Sequence, residues 1–262
     1  MRTELVSEPG DPARPNEDFA SVGLSACGQG GSLVVLDGVT PPPGGAGCLH
    51  SVPWFTARLG GALTELTVSL PDVPLVEALS LGIARTAEAH AATCDLSHPR
   101  TPQATVALAR WSPESVEYLV LSDATLLLAS PDGRVTPVHD DRLARLPREL
   151  LRSAEFVDGT LRNREGGFFT AAADPAVAGR AVTGSVPRAA AGALAALSDG
   201  AARWTDTFRE GDWADLFTLV RGEGARALVD RVRELERADR VERVFLGRAK
   251  THDDATVVLV EP

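Results

Sequence analysis

Four acidic positions in this sequence share one local context. Glu17-Asp18, Asp37-Gly38, Asp199-Gly200 and Asp253-Asp254 each lie where an apolar run begins or ends. Leu33-Val34-Val35-Leu36 runs straight into Asp37, and the small apolar stretch Ala189 to Leu197 delivers Ser198-Asp199-Gly200 in the same way. A carboxylate at the end of a buried strand is held rigidly and faces a loop crevice. Carboxylates crowded in such a crevice repel one another and take up protons unless a cation sits among them. Donor sets made only of oxygen select hard ions such as Mg2+ or Mn2+ over zinc or copper. Gly38 leaves room for its carbonyl to approach an ion. Two ions about 4 Å apart can share a bridging carboxylate and activate a water for in-line attack on phosphorus. The rival use of Asp-Gly is a plain turn; the recurrence of the pattern is what favours a metal site.

The elements that must position these acids can be read from periodicity and turn signals. Residues 9 to 18 hold three prolines and a glycine and form a loop. Phe19 to Leu24 and Leu33 to Leu36, joined through Gly28 to Gly31, read as a hairpin, and only its register decides whether Glu17-Asp18 meets Asp37. Two helices are expected over 51–68 and 75–92, the second introduced by Pro74. Strands over 104–111, 116–122, 125–130 and 134–138, the last two joined by Pro131-Asp132-Gly133, read as an antiparallel meander. An amphipathic helix, kinked at Pro147, is expected over 140–156, followed by an irregular surface excursion over 157–188. Helices over 213–220 and 225–240 then precede a final strand over 255–260. Runs of antiparallel strands separated by helix pairs point to an α+β fold, two sheets covered by helices.

The 262 residues are 44% hydrophobic and 24% charged, enough for a large core. They contain no low-complexity linker and no internal repeat, so one domain over 1–262 is expected. A formal net charge of -10 argues against binding nucleic acid or an anionic membrane. The three cysteines show no CxxC spacing and no Cys/His set has the usual zinc-ligand spacing, so reduced thiols in a cytosolic protein are expected. Met1 to Gly10 lacks the apolar core of a signal peptide, and no window approaches the roughly 20 apolar residues of a membrane span. These readings point to a cytoplasmic protein.

Read in order, Asn16-Glu17-Asp18-Phe19, Val35-Leu36-Asp37-Gly38, Leu197-Ser198-Asp199-Gly200 and Asp253-Asp254-Ala255-Thr256-Val257 resemble the motifs of the metal-dependent serine/threonine phosphatases of type 2C (the PPM family). Leu119 to Ala124 looks like that family's Gly-Asp-Ser segment, so the match spans nearly the whole chain. The resemblance implies an antiparallel two-sheet β-sandwich flanked by helix pairs. It also implies two Mn2+ or Mg2+ ions and a phosphorylated protein as substrate. By the same match Asp37 bridges the ions, the Gly38 carbonyl ligates one of them, Asp199 and Asp253 complete the first ion, and Glu17, supported by Asp18, binds the second. Asp37, Asp199 and Asp253 thereby carry the catalysis. Arg14, three residues before Glu17, is the candidate phosphate-binding arginine, with Arg162 and Arg164 as rivals.

Several positions depart from the family pattern. Val39-Thr40-Pro41-Pro42-Pro43 rebuilds the loop after Asp-Gly and removes a histidine that serves some members as proton donor, leaving His50 or His252 as substitutes. Arg203 stands where many members carry a second Asp that helps a third ion, a site to which Asp123 would belong, and Asp254 replaces an Asn. These departures motivate a different reading, a degenerate module that binds a phosphoprotein or partner without turnover. A hydrolase of another phosphoester is a third.

Overall fold

The computed structural model describes residues 1–26, 28–41, 47–245 and 250–262. The second half of the rebuilt loop (42–46) therefore lies outside the described residues, as does Cys27. Among the described residues, ten strands form two five-stranded antiparallel sheets. The first has the order β1 (Arg2–Glu8), β10 (Ala255–Glu261), β9 (Ala193–Leu197), β6 (Thr125–Ala129), β7 (Val135–Val138). The second has the order β2 (Phe19–Leu24), β3 (Gly31–Gly38), β4 (Ala104–Trp111), β5 (Ser115–Leu121), β8 (Val182–Pro187).

The apolar runs explain the layering. In β3, Leu33 and Val35 face the other sheet, while Val34 and Leu36 face helices α1 (Val52–Ser69) and α2 (Leu75–Glu88). In β9, Leu194 and Ala196 join the inter-sheet core, and Ala193, Ala195 and Leu197 pack under α4 (Asp199–Asp206), α5 (Trp213–Glu223) and α6 (Ala225–Glu242). A strand buried on both faces needs a continuous apolar run rather than alternation, which is what these stretches supply. The order is helices, sheet, sheet, helices, as the resemblance implies. The hairpin and the helices at 52–69, 75–88, 213–223 and 225–242 fall where periodicity puts them.

The structure corrects several expectations. The four strands over 104–138 are not one meander. After β5 the chain crosses between sheets at Ser122-Asp123-Ala124, and β6 pairs with β7 and β9 instead. Ser122 makes that turn with φ +65°, a conformation costly for a residue with a Cβ; its amide donates to Asp140 at 2.9 Å. The helix expected over 140–156 is absent. Turns stand there, with a 3-10 turn over Leu150–Arg152 and a three-residue α3 (Ala154–Phe156) at the end. Pro147 lacks an amide, and Leu143, Leu146 and Leu151 pack instead against Val157, Leu161 and Phe168 as a small separate cluster. The excursion over 157–188 contains β8, an edge strand with Gly184 and Pro187. Arg2–Glu8, read only as lacking a signal peptide, is the edge strand β1, paired to β10 over its whole length. The helix α4 begins at Asp199, where the sequence reading places no helix.

Leu108 is fully buried between sheet and helices. Leu108→Ala is expected to lower the unfolding free energy by about 2–5 kcal/mol, read by urea denaturation with an unchanged m value.

Candidate functional site

The hairpin register answers the question the sequence leaves open. Phe19 pairs with Leu36, and continuing that ladder by one residue sets Asp18 opposite Asp37. In the other sheet Leu197 pairs with Val257, and the Ser198 amide reaches the Thr256 carbonyl at 3.1 Å, which brings the starts of α4 and β10 side by side. The two sheets meet at this end: the Asp199 amide lies 3.4 Å from Asp37 Oδ2. Asp37, Gly38, Asp123, Asp199 and Asp253 line one cleft of about 350 Å³, with Thr40, Ser122, Arg162, Phe168, Thr170 and Lys250 around them.

The electrostatics follow from that crowding. Burial first, then the charges of Asp199, Asp18, Asp123 and Asp253, push the Asp37 carboxyl well above the ordinary aspartate range. Burial and the neighbouring Asp253 and Asp123 raise Asp199 to about 7. Asp18 is raised to about 7 as well, mainly by burial, against the hydrogen bond that Thr256 Oγ1 donates to its Oδ2 at 2.7 Å. Its other oxygen, Oδ1, is buried and has no hydrogen-bond partner among the described residues. Glu17 and Asp123 are shifted upward too, chiefly by burial. An orphaned buried carboxylate oxygen beside other proton-hungry carboxylates is the donor set a divalent cation satisfies. The residues present therefore fit the two hard ions that the resemblance implies.

Asp253 differs from the rest. Arg203 donates to its Oδ2 at 3.0 Å, and the Lys250 ammonium pairs with its Oδ1. Arg203 is itself fixed by the fully buried Glu236 at 2.6 Å, which also takes Arg233 and His252. Glu17 accepts from the Thr40 hydroxyl and sits within the influence of Lys250 and Arg14. Arg14 itself is exposed on the loop and is not among the cleft-lining residues. Arg164 lines a separate hollow, whereas Arg162 lines the cleft. Arg162 is steered by Asp158 at 3.2 Å and lies over the Phe168 ring at 5.0 Å. The two histidines named as substitutes are engaged elsewhere, His252 with Glu236 and His50 with Cys48 and Cys94.

Sequence reasoning singled out Asp254 only as a departure. Its two oxygens accept from the amides of Gly10 and Glu17, both at 2.7 Å, so it ties the acidic loop to β10. The adjacent acid in the Asp253-Asp254 pair was the one signal available. Lys250 carried none, because a single polar residue acquires a role only from what the fold sets beside it. Gly38 and Gly200 are required by close approach. A Cβ on Gly38 would collide with the Glu17 carbonyl, and one on Gly200 with the Asp254 carbonyl.

Raised carboxyl pKa values make pH dependence a test of this geometry. An aspartate that holds its proton to about 7 when folded, but releases it near 4 when unfolded, stabilises the fold at low pH. That contribution is lost as pH rises through the folded value. In metal-free protein Asp18→Asn is therefore expected to melt above the wild type at pH about 8, with the gap closing by pH about 4. A gap independent of pH would show that Asp18 is not held protonated.

No family model matches the sequence, and no curated protein does. Among solved structures, the chain is similar to the serine/threonine phosphatase Stp1 from Staphylococcus aureus, with a TM-score of 0.62 and 12% identity over 100% of this chain and 95% of that one. It is similar to the Mycobacterium tuberculosis serine/threonine phosphatase PstP/Ppp, with a TM-score of 0.61 and 18% identity over 98% and 97%. The S. agalactiae serine/threonine phosphatase gives 0.60 and 13% over 98% of each chain. The resemblance read from ordered motifs is thus matched by tertiary structure along the whole length: this chain has the two-sheet fold of the bacterial type 2C serine/threonine phosphatases.

Proposed function

We propose that this protein is a phosphatase that hydrolyses phosphoserine or phosphothreonine on proteins with the help of two Mn2+ or Mg2+ ions, and that it works in the cytoplasm. The observation that carries the reading is the convergence of Asp18, Asp37, Asp123 and Asp199 at the meeting point of the two sheets, with an unpartnered buried oxygen on Asp18. No helix among the described residues is long and apolar enough to cross a membrane.

Asp37 would bridge the ions, with the Gly38 carbonyl, Asp199 and Asp253 on one and Glu17 and Asp18 on or behind the other. Bound there, the ions supply a water that is nucleophilic near neutral pH and neutralise charge on the phosphoryl group. The chain's own residues do the rest. Arg162, oriented by Asp158 and Phe168, presents N–H donors to phosphate oxygens better than exposed Arg14 does, so it is the preferred substrate-binding arginine. Leu143, Leu151, Val157 and Phe168 form an apolar wall of the cleft, able to pack against residues flanking the phosphorylated side chain and to exclude water. Asp37 near the end of β3 and Asp199 at the start of α4 are placed by the fold before an ion arrives, so little reorganisation is needed.

A second reading has one specific observation in its favour. Asp253 is already neutralised by Arg203 and Lys250, as a module that dispenses with an ion would require. The two readings part in one experiment, hydrolysis of an aryl phosphate and a phosphothreonine peptide with Mn2+, with Mg2+ and with chelator. Metal-dependent turnover is expected, falling by about 10²–10³-fold in Asp37→Asn. Arg162→Ala is expected to raise KM more than it lowers kcat, about tenfold. Folded protein that turns over neither substrate with either metal would leave the binding module as the account. Lys250→Met frees one Asp253 oxygen and is expected to tighten Mn2+ binding severalfold by calorimetry; unchanged affinity would mean that Asp253 does not ligate.

A further inference from the structure

Two cysteines and two histidines converge away from the acidic cleft. Cys48 Sγ lies 3.3 Å from His90 Nδ1 and 3.7 Å from His50 Nδ1, and Cys94 Sγ lies 3.4 Å from His50 Nδ1. The two sulfurs are 2.8 Å apart, and the four donor atoms all lie within 4.8 Å of one another. We propose that these residues hold one structural Zn2+ ion, independent of the acidic cleft and of the phosphatase reading.

The chemistry of the set is specific. Two thiolates and two imidazoles are the donors tetrahedral zinc prefers and hard ions such as Mg2+ or Mn2+ do not. Zinc–sulfur bonds of about 2.3 Å and zinc–nitrogen bonds of about 2.0 Å put tetrahedral donors roughly 3.3–3.8 Å apart. The three sulfur–nitrogen separations already fit. The sulfurs must part by about 1 Å, and at 2.8 Å they are well outside the roughly 2.05 Å of a disulfide. Backbone amides are directed at both sulfurs. The Leu49 amide donates to Cys94 Sγ at 3.3 Å and the His50 amide to Cys48 Sγ at 3.4 Å, the oriented donors that accompany metal-bound sulfur. His90 is 2% exposed and its Nε2 has no partner among the described residues. A neutral ring with its proton on Nε2 presents the Nδ1 lone pair to the centre. Trp54 walls the group, its ring centroid 4.0 Å from that of His50 and 5.2 Å from that of His90.

The spacing conceals the site in sequence: Cys48-Leu49-His50 and His90-Ala91-Ala92-Thr93-Cys94 are separated by a helix pair, and neither is a CxxC. Folded, the Cys94 amide bonds the His90 carbonyl at 3.0 Å, a helical turn that puts both side chains on one side. Cys48 and His50 immediately precede Ser51, which caps α1. The ion would thus join the start of α1 to the chain leaving α2. It would also anchor the far end of the connection that begins at Val39 and Thr40 in the cleft wall, an end already tied by the Asp95 amide to the Gly47 carbonyl at 2.7 Å. With four protein donors no position remains for substrate, so the role is structural.

The test is metal analysis of the full chain purified under reducing conditions, with Co2+ replacing Zn2+ as a spectroscopic probe. One zinc per chain is expected to survive dialysis, and the cobalt form should show tetrahedral visible bands with a sulfur-to-cobalt charge-transfer band. Asp37→Asn should keep the zinc; Cys94→Ser should lose it and melt at lower temperature. Since Cys94→Ser could fail to fold, the wild-type cobalt spectrum decides by itself whether sulfur ligates. Absence of the sulfur band, zinc that departs with Asp37→Asn and stays with Cys94→Ser, or a Cys48–Cys94 disulfide found by peptide mapping would each overturn the assignment.

Discussion

Repulsion among desolvated carboxylates is the constraint on which the rest of this structure depends. Asp18, Asp37, Asp123 and Asp199 are brought together half-buried at the meeting of the two sheets, and each is pushed toward its protonated form. A flexible chain would relieve that strain by moving apart. Here Asp37 ends β3 and Asp199 directly follows β9, strands buried on both faces, so separating these acids would cost apolar burial in both sheets. The fold stores an electrostatic demand that a pair of cations can answer, which is why the carboxylates carry the functional reading.

The neighbouring cations give that demand a graded character. Asp253 is compensated by Arg203 and Lys250, with Arg203 backed by buried Glu236, whereas Asp18 keeps an oxygen with no partner. A buried charge network of this kind is costly to break at one member, because the partner left behind stays desolvated. Arg203 therefore stiffens the junction of α4, α6 and the segment before β10 whether or not Asp253 also binds an ion. The proposed zinc clasp has a comparable place on the opposite sheet. It would hold the paired helices α1 and α2, which cover the outer face of β3, the strand that ends on Asp37. Acidic oxygens at one site and sulfur with imidazole at the other keep the two ion preferences apart.

Where apolar pattern and turn chemistry agreed, the sequence was legible. Leu33 to Leu36 and Ala189 to Leu197 read as buried strands, the second shortened in the structure to Ala193–Leu197, and their terminal Asp-Gly pairs were visible at once. The helices α1, α2, α5 and α6 carry their own periodicity and caps, such as the capping box of Asp212 with Asp215. Legibility failed where local signal and tertiary demand diverged. β1 is polar and half exposed, and β8 contains Gly and Pro, so both look like loop and become strands only because a neighbouring strand offers hydrogen bonds. Residues 140–156 carry leucines at helical spacing, but Pro147 and packing on Phe168 break the helix that the spacing favours.

The sequence by itself determined which residues could do chemistry: the acids at strand ends, their order, and hence the resemblance and the layered fold. Side-chain type and local periodicity are properties of short segments, and short segments are what a sequence displays. Only the tertiary structure decided who meets whom. The hairpin register set Asp18 against Asp37, the crossing at Ser122 brought Asp123 to the same cleft, and Arg162 rather than Arg14 came to line it. The same holds for Cys48 and Cys94, 46 positions apart and in contact through their sulfurs. Such meetings are fixed by strand register, sheet order and helix packing, which are sums over the whole chain and have no signature in any one stretch of it.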